Sequence, residues 1–225
     1  MKTLDLSHRL ATDMPVYPGT DPVRVERATT RDDDGYRTTR FAFDSHAGTH
    51  VDAPAHLVDG PTLDDLALDR FRFAAAAVDP GPLDPRESVG VDALRDGLAV
   101  DPGDVDLVCV VTGWDRHWGS DRYFDHPFLA PEAASWLAER GCDLGVDAIN
   151  PDPTPTDNAA PDEPDGFPVH EELFERERVI VENLRGLGRL PDRFELHAYP
   201  LRYDGGDGSP VRAVALVPDR PGTGD

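Results

Sequence analysis

Ser45-His46-Ala47-Gly48-Thr49-His50-Val51-Asp52-Ala53-Pro54-Ala55-His56 gathers three histidines and an aspartate into one short segment of a chain with eight histidines in all. Imidazole nitrogen and carboxylate oxygen bind zinc and similar divalent ions at about 2.0–2.2 Å, and catalytic sites commonly use three protein ligands with a position left open for water. His46, His50 and Asp52 make such a set, and their even spacing puts all three on one face of an extended segment. A straight strand would hold His46 and His50 about 13 Å apart, too far to converge on one ion. Gly48 lies between them, where glycine permits a bulge or a tight bend. His56 lies beyond Pro54 and is not needed as a ligand. An imidazole with an ordinary pKa of about 6.5 suits proton transfer at neutral pH, so His56 is assigned as general acid/base.

Outward from this motif the chain alternates strand-like and helix-like segments. Residues 3–8, 23–29, 36–44 and 71–79 read as strands, with Asp32-Asp33-Asp34-Gly35 as a turn and Leu63–Asp69 as a short helix. Val91–Leu98 reads as a helix, and Val105–Thr112 is a β-branched apolar run suited to a central strand. Leu129, Ala133, Trp136 and Leu137 share one face of an amphipathic helix that stops at Gly141, and Leu144–Ile149 is the next strand. This strand–helix–strand order predicts a crossover unit in a mixed sheet. Asn150–Phe167, rich in proline and aspartate, reads as a surface loop. A short helix at Glu171–Glu177 and strands at 179–182, 193–198 and 211–217 complete one α/β domain spanning residues 1–225.

The formal net charge is −22, with 44 acidic residues against 22 basic ones, and Lys2 is the single lysine. Such a surface repels nucleic-acid phosphates and anionic membranes, which argues against both as partners. Recurrent apolar runs argue against disorder. The remaining reading is a folded protein adapted to a saline cytoplasm, where counterions screen its self-repulsion. Met1–Leu10 has no signal-peptide pattern, and no window approaches a membrane span. Cys109 and Cys142 lie outside any Cys-x-x-Cys spacing and are expected as buried thiols.

The histidine segment resembles the signature of the cyclase-type metal hydrolases, the family of bacterial kynurenine formamidase and isatin hydrolase. Further matches run along nearly the whole chain. They are Asp5-Leu6-Ser7-His8, Pro15-Val16-Tyr17-Pro18-Gly19, Gly113-Trp114, His126-Pro127, Gly145-Val146-Asp147, Val181-Glu182-Asn183-Leu184, Pro200-Leu201 and Gly208-Ser209-Pro210-Val211-Arg212. The resemblance implies the swivelling β/β/α fold, a homodimer or homotetramer, and two divalent ions per subunit, zinc or else manganese. It implies that Asp52 bridges the ions and that His170 and Glu182 complete the second site. On residue pattern alone His170 is a lone histidine before a helix, and Glu182 reads equally as a solvated strand end. By the same resemblance Tyr17 contacts the ring of an aromatic substrate, whereas by itself it could simply pack between prolines. The stretch from Asp147 to Asp152 and the loop after it depart from the family's serine or threonine pattern, which leaves the substrate open.

The function implied is metal-dependent amide hydrolysis of a small molecule, with N-formylkynurenine cleaved to kynurenine and formate. The alternatives are a related hydrolase opening a cyclic amide, ester or lactone, and a metal-binding protein without catalysis. A closed structural site has no use for a free proton carrier, so His56 weighs against the last.

Overall fold

The apolar run at 105–112 becomes a fully buried central strand, Leu107–Val110, in the computed structural model, which describes residues 1–219. The chain opens with β1 (Lys2–Asp5), followed by a hairpin of β2 (Arg24–Thr29) and β3 (Thr38–Ala42). Between those two strands the expected turn is one turn of helix, α1 (Arg31–Asp34). The Thr30 side chain caps its start and Gly35, at φ 78°, ends it. Then come β4 (His50–Asp52), β5 (Arg72–Val78), β6 (Ser88–Val89), α2 (Val91–Gly97), β7 (Leu107–Val110), β8 (Phe128–Leu129), α3 (Pro131–Ala138) and β9 (Asp143–Val146). The chain closes with α4 (Pro168–Phe174), β10 (Ile180–Glu182), β11 (Arg193–His197), β12 (Gly208–Pro210) and β13 (Val214–Val217).

Nine strands form one mixed sheet in the order β1-β13-β11-β5-β7-β9-β10-β4-β12. Strands β5, β7, β9 and β10 run parallel at its centre, and every other pairing is antiparallel. Parallel neighbours need a crossover, and α3 supplies one between β7 and β9. Side chains alternate across the pleat. Leu107 and Cys109 join Phe73, Val51, Val181 and Leu196 in a core that links strands from both ends of the sheet, so the sheet curls over its own face. Val108 and Val110 face the other way, onto Leu94 of α2, Leu137 of α3 and Leu173 of α4. Both cysteines are buried free thiols, and burial pushes each thiol pKa up.

Three further segments differ from expectation. The expected helix at Leu63–Asp69 is a turn followed by a 3-10 segment at Leu68–Phe71. There Thr62 bonds the Asp64 and Asp65 carboxylates, an alternative to helical pairing. Helix α4 starts three residues earlier than expected, with Pro168 in its first turn, and so contains His170. Residues 150–154 are buried, so only the later part of the Asn150–Phe167 loop is a surface. Pro151 accepts the Leu129 N–H, and Thr154 holds the His126 ring at 2.8 Å. Among the described residues, no helix is long and apolar enough to cross a membrane.

Candidate metal centre

The bend expected at Gly48 is present, with φ 67°, a conformation that favours glycine. A Cβ there would also press on Leu10 and Met14 at 3.1 Å. Beyond the bend, β4 sends Val51 into the core and turns His50 and Asp52 to the opposite face. Its neighbour β10 runs antiparallel in a register that sets Glu182 directly across from His50. The inner face of α4 brings in His170. Thus the bent 46–52 segment, α4 and β10 deliver His46, His50, Asp52, His170 and Glu182 to one place.

Each of the three histidines holds one ring nitrogen on an outer acceptor and presents the other to the shared carboxylates. His50 Nδ1 meets the Gly48 carbonyl at 2.7 Å, and its Nε2 lies 3.1 Å from Asp52 and 3.4 Å from Glu182. His170 Nδ1 meets Asp152 at 2.6 Å, and its Nε2 lies 3.3 Å from Glu182 and 4.0 Å from Asp52. His46 Nδ1 lies 2.6 Å from Asp52, while its Nε2 lies 3.0 Å from Asp207. Fixing the outer nitrogen sets ring orientation and tautomer, the usual arrangement around a metal-ligating histidine.

His46, His50 and Asp52 form one group whose ligand atoms lie within 4.8 Å of one another, and Asp52, His170 and Glu182 form a second. Asp52 belongs to both. His50 Nε2, Asp52 Oδ2 and Glu182 Oε1 are buried without hydrogen-bond partners. Unmet buried polar atoms are costly, and a cation between them would satisfy all three. The donor set therefore fits a divalent cation.

The electrostatics agree. Burial alone would lower the pKa of His46, but Asp52 and Asp207 raise it to about 9. Burial likewise opposes the charge on His170, yet Asp152 and Glu182 lift it to about 10. Burial would raise Asp52, but the adjacent histidines hold it well below the usual carboxylate range. Glu182 is pushed up by burial and by the Asp52 charge. His56 moves the other way: burial and the neighbouring His46 lower it, so it is neutral near pH 7. Its ring sits 3.9 Å from that of His46, and its side chain is 37% exposed.

A cavity of about 230 Å³ opens over these groups, and Tyr17, Leu57, Ile149, Asn150 and Phe167 complete its walls. Tyr17 is where a substrate-contacting ring was expected, and Phe167 faces it at 6.0 Å between ring centroids. A larger cavity of about 630 Å³, lined in part by Arg9, Phe41 and Arg185, contains none of the expected ligands. Three site residues escaped the sequence reading: Asp152, Phe167 and Asp207. Asp152 sat in a stretch taken as surface loop, and Asp207 immediately precedes the Gly208–Arg212 match.

Comparison with known proteins follows the same line. Residues 4–153 match the family profile described as Putative cyclase. The chain belongs to the cyclase family. This cyclase-family chain is 31% identical to the kynurenine formamidase of Bacillus cytotoxicus over 216 residues, covering 94% of the chain and 95% of that protein. It is also 31% identical to the kynurenine formamidase of Salinibacter ruber over 218 residues, covering 95% and 97%. An isatin hydrolase bound to the product analogue thioisatinate superposes with a TM-score of 0.84 at 25% identity, covering 97% of this chain and 93% of that one. A predicted metal-dependent hydrolase from Bacillus stearothermophilus superposes with a TM-score of 0.75 at 26% identity, covering 95% and 97%.

Proposed function

We propose that this protein is a metal-dependent amidohydrolase that cleaves N-formylkynurenine to kynurenine and formate. The observation that carries the reading is the convergence of unpartnered buried His50, Asp52 and Glu182 atoms beside a neutral, partly exposed His56. His46, His50 and Asp52 would hold one ion and Asp52, His170 and Glu182 a second, with Asp52 shared. Nitrogen and carboxylate donors suit zinc, with manganese as the alternative. Such ions supply Lewis acidity, polarising a carbonyl and making water a competent nucleophile near neutral pH.

The remaining work falls to side chains. Neutral His56 takes a proton as water adds to the formyl carbon and returns it to the departing aryl amine nitrogen. Tyr17 and Phe167 line the wall that would receive the aryl ring, which orients the amide toward His56. A cyclic amide would open by the same proton transfers, and the fold likeness to isatin hydrolase favours that second reading. The deciding test is hydrolysis of N-formylkynurenine, isatin and a simple lactone by chelator-treated enzyme before and after zinc or manganese is restored. Turnover of N-formylkynurenine that appears only with metal supports the proposal. Preference for isatin selects the second reading, and metal binding without turnover of any substrate returns the chain to a non-catalytic role.

A homodimer or homotetramer working in a saline cytoplasm completes the proposal. The Debye length falls from about 30 Å at 0.01 M salt to about 3 Å at 1 M, so repulsion across a surface of net charge −22 fades with salt. Tm should therefore rise with potassium chloride into the molar range. A flat or falling curve would retire the salt adaptation, and light scattering would report the assembly.

A further inference from the structure

We infer that Asp207 is a positioning residue that locks the His46 ring through its outer nitrogen and thereby fixes the surface against which His56 packs. The inference rests on the reading of His46 as a metal ligand and His56 as the proton carrier.

Asp207 immediately precedes β12, which pairs with β4 so that Gly208 lies opposite Asp52 and Pro210 opposite His50. Its carbonyl accepts the Ala53 N–H at 2.9 Å, which pins the backbone to the histidine segment. From there one carboxylate oxygen lies 3.0 Å from His46 Nε2 and 3.7 Å from His56 Nδ1. Ser45 Oγ donates to that same oxygen at 3.2 Å, and the Tyr203 hydroxyl, which donates to the Gly208 carbonyl, lies 3.2 Å from the other. The carboxylate is thus anchored by the Ser45 hydroxyl while it faces two imidazoles.

Gly208 adds a steric wall. A Cβ at that position would stand 2.5 Å from His46 Cε1, so the peptide lies against the ring face. Held at Nε2 by Asp207 and packed flat on Gly208, His46 has one orientation, with Nδ1 toward Asp52. His56 packs against the same ring, tilted by 34° with the centroids 3.9 Å apart. Reorienting His46 would therefore disturb ion affinity and the placement of the proton carrier together. His46, His56 and Asp207 could also be viewed as a third ion site, since their ligand atoms lie within 4.8 Å. That arrangement would take both nitrogens of His46 for two ions, which argues for positioning instead.

The test measures zinc affinity by competition with a chromophoric chelator, and kcat and KM on zinc-saturated enzyme. Asp207→Ala should bind zinc about 10–100-fold more weakly, the usual cost of losing an outer partner of a metal-bound histidine. Its kcat should fall even when saturated, with KM nearly unchanged. Asp207→Asn retains an acceptor oxygen and should recover part of both losses, and it carries the same readout if the alanine variant fails to fold. Gly208→Ala leaves the carboxylate in place but displaces the His46 ring, and should weaken zinc binding as well. Wild-type zinc affinity and kcat in Asp207→Ala would overturn the inference. So would complete loss of one ion per subunit at saturating zinc, because Asp207 would then be a ligand. His46→Ala separates the two layers of argument. If it keeps wild-type zinc affinity, the ligand reading itself fails. If it loses zinc while Asp207→Ala does not, positioning alone fails.

Discussion

The two halves of the site use the same kinds of side chain in opposite surroundings. The inner half, Asp52, His170, Glu182 and the supporting Asp152, is buried, with Asp152 at 0% side-chain exposure. The outer half, His46, His56 and Asp207, is partly open to solvent, with the His56 and Asp207 side chains 37% and 41% exposed. Burial makes an unpaired donor expensive, so the inner half is committed to holding charge. Access to water and substrate makes the outer half the place where protons can be exchanged. The histidines sort by their neighbours: carboxylates lift His170 to about 10 and His46 to about 9, whereas burial and the adjacent His46 lower His56.

The largest expected effect tests whether the inner half holds metal. His170→Ala should lose bound metal and lower turnover by more than the roughly 10–100-fold typical of outer-partner loss. Wild-type metal content by elemental analysis would break the comparison at its root. His56→Ala should lower turnover by about 10²–10⁴-fold while retaining metal, because proton transfer and ligation are divided between the halves. Loss of metal from that variant would move His56 among the ligands.

Stability should separate the two supporting carboxylates. Asp152 accepts from the backbone N–H groups of Val169 and His170 as well as from the His170 ring. Asp152→Ala strands three buried donors at about 1–3 kcal/mol each, so its Tm should fall well below that of Asp207→Ala. Equal losses in chemical denaturation would mean that exposure does not distinguish the pair.

The smallest expected effect is acid sensitivity beneath the inner half. His126, which holds Thr154 just past Asp152, is buried neutral, and burial lowers its pKa to about 4. A histidine depressed in this way contributes stability above its unfolded pKa of about 6.5, and that contribution is lost as pH falls toward 4. The loss is on the order of 3 kcal/mol. His126→Gln should flatten the dependence of Tm on pH between 6.5 and 4, and an unchanged slope would show that the ring does not titrate on unfolding.

Within the chain itself, the candidate ligands of one short segment stood out because strand geometry repeats every two residues. His46, His50 and Asp52 declare their shared face, and Gly48 declares the bend that gathers them. The apolar runs likewise announced the central strands, and the family motifs pointed to His170 and Glu182. Asp152 and Asp207 carried no such mark, since an aspartate in an acidic chain reads as solvated surface until something is shown to cover it. Tertiary structure decided their roles through long-range register. The pairing of β4 with β10 sets Glu182 across from His50, and the pairing of β4 with β12 brings Asp207 beside His46 from 161 residues away. Such pairings depend on how the whole sheet curls and buries its faces, so local spacing encodes the donors and the fold alone selects their partners.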